Sequence, residues 1–321
     1  MRLEQLQDFI DPQSATPLAP QDLKIVDGQI ESGRLSDPSG IANYPIVNFV
    51  PRFVGSGNYA TNFGLQWQIH AKTQLDSYNG ATYSRDRLFE TTGWPTDLKG
   101  ERILEAGSGA GRFTEVLAST GARIFTFDYS EAVLANYQNN VSKGDITFFQ
   151  GDIYRIPFPK SSFDRVICLG VIQHTPDVHK TFQCLAEMVR PGGYLAVDVY
   201  RKIWQQMLHW KYVMRPLTKR MKADRLYRMV NWYAPKLMPV AKVMRKIGGR
   251  AGARLVPILD QSDKAVPPTV QRDWTILDTY DALSPAYDKP QTDATIASWF
   301  AECGFEQVEV DDGKARGRRK C

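Results

Sequence analysis

An α/β fold with a doubly wound, Rossmann-like sheet is the architecture this sequence predicts, and three observations predict it. Between residues 101 and 200, short apolar runs alternate with segments of helical period, as in repeated βαβ units that cover both faces of a parallel sheet. The first run, in "RILEAGSGAGRF" (102–113), ends in a glycine-rich turn that opens directly into a helical pattern. The next two runs are each followed by an acid at the strand end, Asp128 and Asp152. A strand, a glycine-rich turn and a helix start let a polar ligand approach bare backbone. In such sheets the ligand lies at the carboxyl ends of the strands, near the switch point.

Residues 1–57 carry several Pro and Gly and little helical period, which predicts a small β-rich module. Ile25-Val26, Asp27-Gly28 and Gln29-Ile30 read as strand, turn and strand. Residues 44–54 read as another strand pair, with Pro45 and Pro51 at edges or bends. Helices are expected over 68–75 and 84–92, the second with Ser84 as its N-cap, and they precede the core within a 58–200 domain. Inside that domain, strands are expected at 103–106, Arg123–Asp128, Ile146–Gln150, Phe163–Leu169 and 194–199. Helices are expected at 112–119, 132–141 and 178–189.

Residues 201–260 read as a helical insertion, divided into short amphipathic pieces by Pro216, Pro235 and Pro239. Residues 261–321 complete the domain. Here 255–291 is loop-like, 292–303 a helix with Ile296, Trp299 and Phe300 on one face, and 305–310 a strand. Residues 314–320 form a last short strand or a frayed end.

Composition places the chain among ordinary globular proteins, with 43% hydrophobic and 23% charged residues in a length of 321. Cys168, Cys184, Cys303 and Cys321 are scattered and form no C-x-x-C pair, which argues against a zinc site or a disulfide framework. The first residues show no apolar signal segment, and no run of 18 apolar residues occurs. The expected setting is therefore cytoplasmic, with peripheral membrane contact through the insertion.

That insertion is unusual in charge. Residues 201–254 hold 15 Lys and Arg against one acid, Asp224, in a chain whose net charge is +5. Met207, Met214 and Met221 recur every seven residues, Leu226, Met229, Val230 and Tyr233 follow a helical period, and Trp204, Trp210 and Trp232 lie among them. One reading is an amphipathic cap with its Met/Trp face in the core and its charges solvated. The other is a surface for an anionic partner: a membrane carrying a lipid-linked substrate, or nucleic acid. The membrane is favoured over nucleic acid, because the apolar face is rich in Met and Trp and no RNA-binding signature is present.

The glycine spacing, Glu105-x-Gly107-x-Gly109-x-Gly111, is not the dinucleotide fingerprint G-x-G-x-x-G, because residue 112 is Arg. Four pieces in order, "ILEAGSGAGRF", "FTFDYS", "FQGDIYRIPFPKSSFDRVICLGVIQHTPD" and "LAEMVRPGGYLAVDV", resemble the class I S-adenosylmethionine (SAM)-dependent methyltransferases. The resemblance spans roughly residues 60–200 and 290–312. "GRLSDPSG" and "YPIVNFVPRFV" are similar to the small ribbon-like domain that precedes many bacterial members. There, cysteines often hold a zinc; here none precedes Cys168, which implies a degenerate, metal-free module.

The resemblance implies SAM as cofactor and assigns roles to matching positions. Gly107, Ser108 and Gly109 would pass close to the methionine moiety, and Glu105 would orient that loop or the cofactor's amino group. Asp128 would bind the ribose hydroxyls, with Ser130 beside it, and Tyr129 would cover a face of the adenine. Asp152 and the Ile153 amide would meet the adenine edge, while Leu169 and Val171 would line the methionine end. A sulfonium cation needs no phosphate cradle, which suits an acidic strand end.

His174 follows the fourth strand and would face the methyl group, either as a general base for a hydroxyl acceptor or as a packing residue. His179 is expected at the surface, and His70 is a candidate lid residue. Gln66 and Trp67, in "FGLQW", either close over the ligands or belong to the core. The expected reaction is methyl transfer to an oxygen of a small-molecule or glycan acceptor, lipid-linked glycans included. The alternatives are an RNA or nucleobase methyltransferase, opposed by the lack of an N-P-P-Y-type motif, an NAD(P) oxidoreductase, opposed by the glycine spacing, and a non-catalytic scaffold.

Overall fold

After a single 3-10 turn at Leu3–Leu6, two hairpins with two-residue turns form the first sheet. β1 (Ala19–Val26) and β2 (Gln29–Ser36) join through Asp27-Gly28, and β3 (Asn43–Val47) and β4 (Val50–Pro51) through Asn48-Phe49. All four turn residues have left-handed φ, from 48° to 74°, the geometry that matches the twist of paired strands. The four strands form one antiparallel sheet in chain order. The computed structural model describes residues 1–55, 61–202 and 209–321; Trp204 and Met207 of the basic segment fall outside these.

Pro45 is a correction to the expected edge position: it lies in β3, between β2 and β4, opposite Arg34. It is tolerated because β4 is short and the Pro45 carbonyl still accepts from the Arg52 amide at 2.9 Å. The module is joined to the main domain by packing. Phe9 meets Phe53, Phe149 and Phe158 at ring distances of 4.9–5.5 Å, and Phe49 stacks on Tyr137 at 5.4 Å.

α1 (Thr61–Ile69), α2 (Asp76–Asn79) and α3 (Tyr83–Thr92) follow. The helix expected over 68–75 ends at Ile69, and turns occupy the rest. Ser84 does not cap α3 but lies inside it, buried, with its hydroxyl donating to the Gln74 carbonyl at 2.8 Å. The amides of Ser84 and Arg85 are instead accepted by Asp76 at 3.0 and 2.9 Å, a cap supplied from a preceding helix.

The main sheet holds β5 (Arg102–Ala106), β6 (Arg123–Asp128), β7 (Ile146–Gln150), β8 (Phe163–Leu169), β9 (Val189–Asp198), β10 (Phe305–Asp311) and β11 (Lys314–Arg319). Its order is β10-β11-β9-β8-β5-β6-β7, with β5 to β9 parallel and the β10–β11 hairpin antiparallel. α4 (Arg112–Ala118), α5 (Ala132–Asn140) and α6 (Val178–Met188) connect the parallel strands. Strand order reverses between β5 and β8, which puts the switch point directly above the glycine turn. Of the 314–320 stretch, Lys314–Arg319 is a strand, held between β9 and β10.

Between β9 and the returning helix α10 (Asp293–Glu302) stand α7 (Trp210–Thr218), α8 (Ala223–Ala253) and α9 (Pro268–Leu283). Two expectations are corrected here. Pro235 and Pro239 do not divide α8, whose break comes at Gly248-Gly249, where Gly249 has φ 59°. The carbonyl that each proline leaves without a donor belongs to Asn231 or to Pro235, on an outer or half-buried part of the helix that water can reach. The 255–291 stretch is not a loop, because it contains α9 with Pro268 at its first position. Leu226, Val230, Ile276, Tyr280 and Leu283 form a core of their own between α8 and α9, and Met214, Met221 and Met229 pack against it. The described methionines of the insertion thus face inward.

Candidate active site

The glycine turn after β5 is fixed from two sides. The amides of Gly107 and Ser108 both donate to the Phe127 carbonyl at 2.9 Å, and the Gly109 amide donates to Asp128 Oδ2 at 2.9 Å. The other Asp128 oxygen accepts from the Ser130 amide and hydroxyl at 2.8 and 2.7 Å. Gly107 has φ 76° and Gly111 φ 89°; a Cβ at the first would collide with Val171 and at the second with Asn136. Side chains are excluded there by both conformation and space.

Beneath the turn lies a buried polar network. Glu105 Oε2 accepts from Thr114 and Thr126 hydroxyls at 2.5 and 2.8 Å. Asn136 donates to the Thr114 hydroxyl, and Asn140 to the Gly111 carbonyl, each at 2.9 Å. Burial pushes the Glu105 carboxyl up to about 7, against two hydroxyl bonds that favour the charged form. Burial raises Asp128 as well, opposed by its bonds from Ser130 and Gly109. Asn136 and Asn140 escape a sequence reading; their one signal is an i, i+4 pair of amides on an otherwise apolar helix face.

A cavity of about 880 Å³ opens at the carboxyl ends of the strands. Gly107, Ser108, Gly109, Asp128, Tyr129, Asp152, Ile153, Leu169, Val171 and His174 all line it. Glu105 and Ser130 do not: both are buried beneath its wall, where they hold the turn and Asp128. Gln66 and Trp67 line the cavity, and a Cβ on Gly109 would stand 3.1 Å from the Trp67 ring. Gln66 donates to Asp281 at 3.1 Å, tying α1 to α9 across the opening. His70 does not reach the cavity and is instead 2.9 Å from the Tyr227 hydroxyl, while exposed His179 pairs with Glu302 at 2.8 Å.

His174 ends a single turn of 3-10 helix, Ile172–His174, directly after β8. Its Nδ1 lies 2.9 Å from the Tyr287 carbonyl, which can only accept. Nδ1 is therefore protonated, and in the neutral ring Nε2 is the basic nitrogen. The Tyr200 ring stands edge-on at 5.4 Å and fixes the imidazole plane.

The far half of the cavity is built by α3, α4 and the insertion. Arg112 donates to Gln74 at 2.9 Å and to Ser84 at 3.1 Å, with no carboxylate partner among the described residues, and burial lowers its guanidinium to about 9. Asp278 accepts from Gln74 at 3.2 Å and from Gln261 at 2.7 Å; burial and neighbouring Asp281 push it up to about 7. Trp274 and Tyr83 meet edge to face at 5.8 Å, under the Lys264 ammonium. Trp274, Asp278 and Asp281 follow the period of α9, but the Pro267-Pro268 pair and the run of prolines around them read as loop.

The near half fits a sulfonium nucleoside and not a dinucleotide. The amides of Gly107, Ser108 and Gly109 are taken by Phe127 and Asp128 and that of Gly111 by the Ser108 carbonyl, which leaves the turn poor in donors for a pyrophosphate. Two carboxylates, Asp128 and Asp152, stand instead in the wall, where a cation and ribose hydroxyls are welcome.

Residues 104–197 match the family described as "Methyltransferase domain". The ubiquinone biosynthesis O-methyltransferase of Methylocella silvestris is 33% identical over 124 residues, 35% of this chain and 48% of that protein. That of Coxiella burnetii is 27% identical over 114 residues, 35% of this chain and 49% of that protein. A solved SAM-dependent methyltransferase from Methanosarcina mazei superposes with a TM-score of 0.42 at 15% identity, over 71% of this chain and 94% of that one. The chain spans about half the length of the two curated relatives. Over residues 104–197 this chain therefore carries a methyltransferase domain, built on the parallel sheet with its glycine turn and acidic strand ends.

Proposed function

We propose that this protein transfers a methyl group from SAM to a hydroxyl oxygen of a small glycan or glycan-like acceptor. The observation that carries the reading is His174: it lines the same cavity as the glycine turn and Asp128, and its Nδ1 bond to Tyr287 leaves Nε2 as the basic nitrogen.

When bound, SAM supplies an electrophilic methyl on a sulfonium. Asp128 holds the ribose hydroxyls with lone pairs beyond those used by Gly109 and Ser130, and Asp152 and the Ile153 amide hold the adenine edge. Tyr129 covers an adenine face, while Gly107 to Gly109 and Val171 shape the methionine end. Trp67 and Gln66 cover the turn and exclude water. His174 Nε2 takes the proton of the acceptor hydroxyl, and the Tyr287 carbonyl keeps the resulting imidazolium in place through Nδ1–H. Much of the rate then comes from positioning.

A glycan suits the far half. Sugar hydroxyls both donate and accept, and Asp278, Gln261, Gln74 and Arg112 offer both kinds of partner beside the aromatic faces of Trp274 and Tyr83. The names of the two curated relatives place their methyl groups on oxygen.

The test is transfer of methyl-labelled SAM to a panel of free and lipid-linked glycans and to total RNA. Label in an alkali-stable ether of a glycan supports the reading. Label in RNA, or no transfer to any hydroxyl compound while SAM binds, overturns it.

A further inference from the structure

The insertion carries a feature that methyl transfer does not use. On α8, Trp232, Lys236, Val240, Val243 and Ile247 recur at i, i+4, i+8, i+11 and i+15, which sets them in one stripe. That stripe faces outward: Trp232 is 67% and Ile247 77% exposed, whereas Leu226, Val230, Ala234 and Ala241 are buried against α9. On α7, Val213 and Leu217 are likewise exposed. An amphipathic helix that keeps one apolar face in the core and shows a second one outside has a surface made for a partner.

Cations interleave with this row. The Lys236 ammonium lies 3.7 Å from the Trp232 ring centre, and Arg225, Lys242 and Lys246 have no acidic partner among the described residues. Asp224, the one acid between 201 and 254, pairs with Arg228 at 3.1 Å. The surface therefore offers Trp and aliphatic side chains together with unneutralised positive charge.

We infer that α7 and α8 dock this protein on the surface of an anionic lipid bilayer. Trp232, Val243 and Ile247 enter the headgroup boundary, and Lys236, Lys242 and Lys246 meet lipid phosphates. A bilayer interface satisfies both halves of the pattern. Nucleic acid would use the cations but set Val240, Val243 and Ile247 against phosphates, and a second copy would bring like charges face to face. Among the described residues no helix is long and apolar enough to cross a membrane, so the contact is made from one side. Arg254, in the chain that follows the Gly248-Gly249 break of α8, lines the cavity, so the insertion that carries the stripe also reaches the site. Under the methyl-transfer reading, on which this last step alone rests, an acceptor anchored in lipid would be met there.

The experiment is flotation of the full chain with vesicles of phosphatidylcholine alone and of phosphatidylcholine mixed with phosphatidylglycerol. The expected result is flotation with the anionic vesicles only, weakened by salt, with Lys242→Gln and Lys246→Gln each lowering the partition about fivefold. Ile247→Ser should lower it too, while leaving thermal melting and SAM binding unchanged because the side chain is exposed. No flotation, flotation indifferent to these variants, Trp232-dependent dimerisation, or displacement from vesicles by single-stranded RNA would each overturn the proposal. SAM calorimetry on the same samples reads the methyl-transfer reading separately, so the two fail independently.

Discussion

The Asp128 carboxylate, at the end of β6, accepts a hydrogen bond from the Gly109 amide at 2.9 Å, so one side chain locks the glycine turn of the neighbouring strand. The residue is thus both a wall of the cavity and a support for the loop beside it. Asp128→Asn keeps the shape and removes the charge, and should weaken SAM binding about a hundredfold by calorimetry, as two charge-assisted bonds are lost. Asp128→Ala should lower the melting temperature further than Asn does, because the Gly109 and Ser130 amides then both lose their acceptor, where Asn leaves one. Undiminished SAM affinity in the Asn variant would contradict the ribose role.

His174→Gln removes the basic nitrogen and retains a side chain that can reach Tyr287. Turnover should fall by roughly a hundredfold to ten-thousandfold, the usual worth of a general base, with SAM affinity unchanged. Equal loss of SAM affinity and turnover would mark His174 as a binding residue instead.

Glu105 links the site to stability. Its carboxyl is raised from 4.5 to about 7, so between those values the folded protein holds a proton that the unfolded chain has released. Stability therefore falls as pH rises through that window and levels off above it. Asp278, raised to about 7, adds a fall of the same sign. Glu105→Gln keeps an acceptor for Thr114 and Thr126 and removes its share, so urea unfolding at about pH 8 should show a gain of about 3 kcal/mol that is absent near pH 5. An unchanged pH slope would show that Glu105 is ionised in the fold.

The parallel strands were legible because their signals are local: apolar runs, glycine spacing and the acids Asp128 and Asp152 after β6 and β7. Arg123–Asp128, Ile146–Gln150 and Phe163–Leu169 stand where the pattern puts them. What was hidden is non-local. Asp76 caps α3 from another helix, Ser84 serves the Gln74 carbonyl, and Glu105 turns toward Thr114 rather than the cavity. In α9, Pro267-Pro268 looks like a break but is a helix start, so the sequence around Trp274 and Asp278 predicts a loop where a helix stands. Part of the far half of the cavity is lined from that helix, so its residues carry no local signal comparable to the glycine turn.

Asp278→Asn tests the far half without disturbing volume. One of the two amide donors, Gln74 or Gln261, loses its acceptor. The acceptor KM should rise about tenfold or more while SAM affinity stays as it was. A change in SAM affinity with no change in KM would place Asp278 with the cofactor.

The most direct test of the central claim is titration calorimetry of the full chain with SAM, with S-adenosylhomocysteine and with NAD. One site for each of the first two ligands and none for NAD is the expected result, since the amides of Gly107, Ser108 and Gly109 are already spent on Phe127 and Asp128. Binding of NAD in place of SAM would contradict the account.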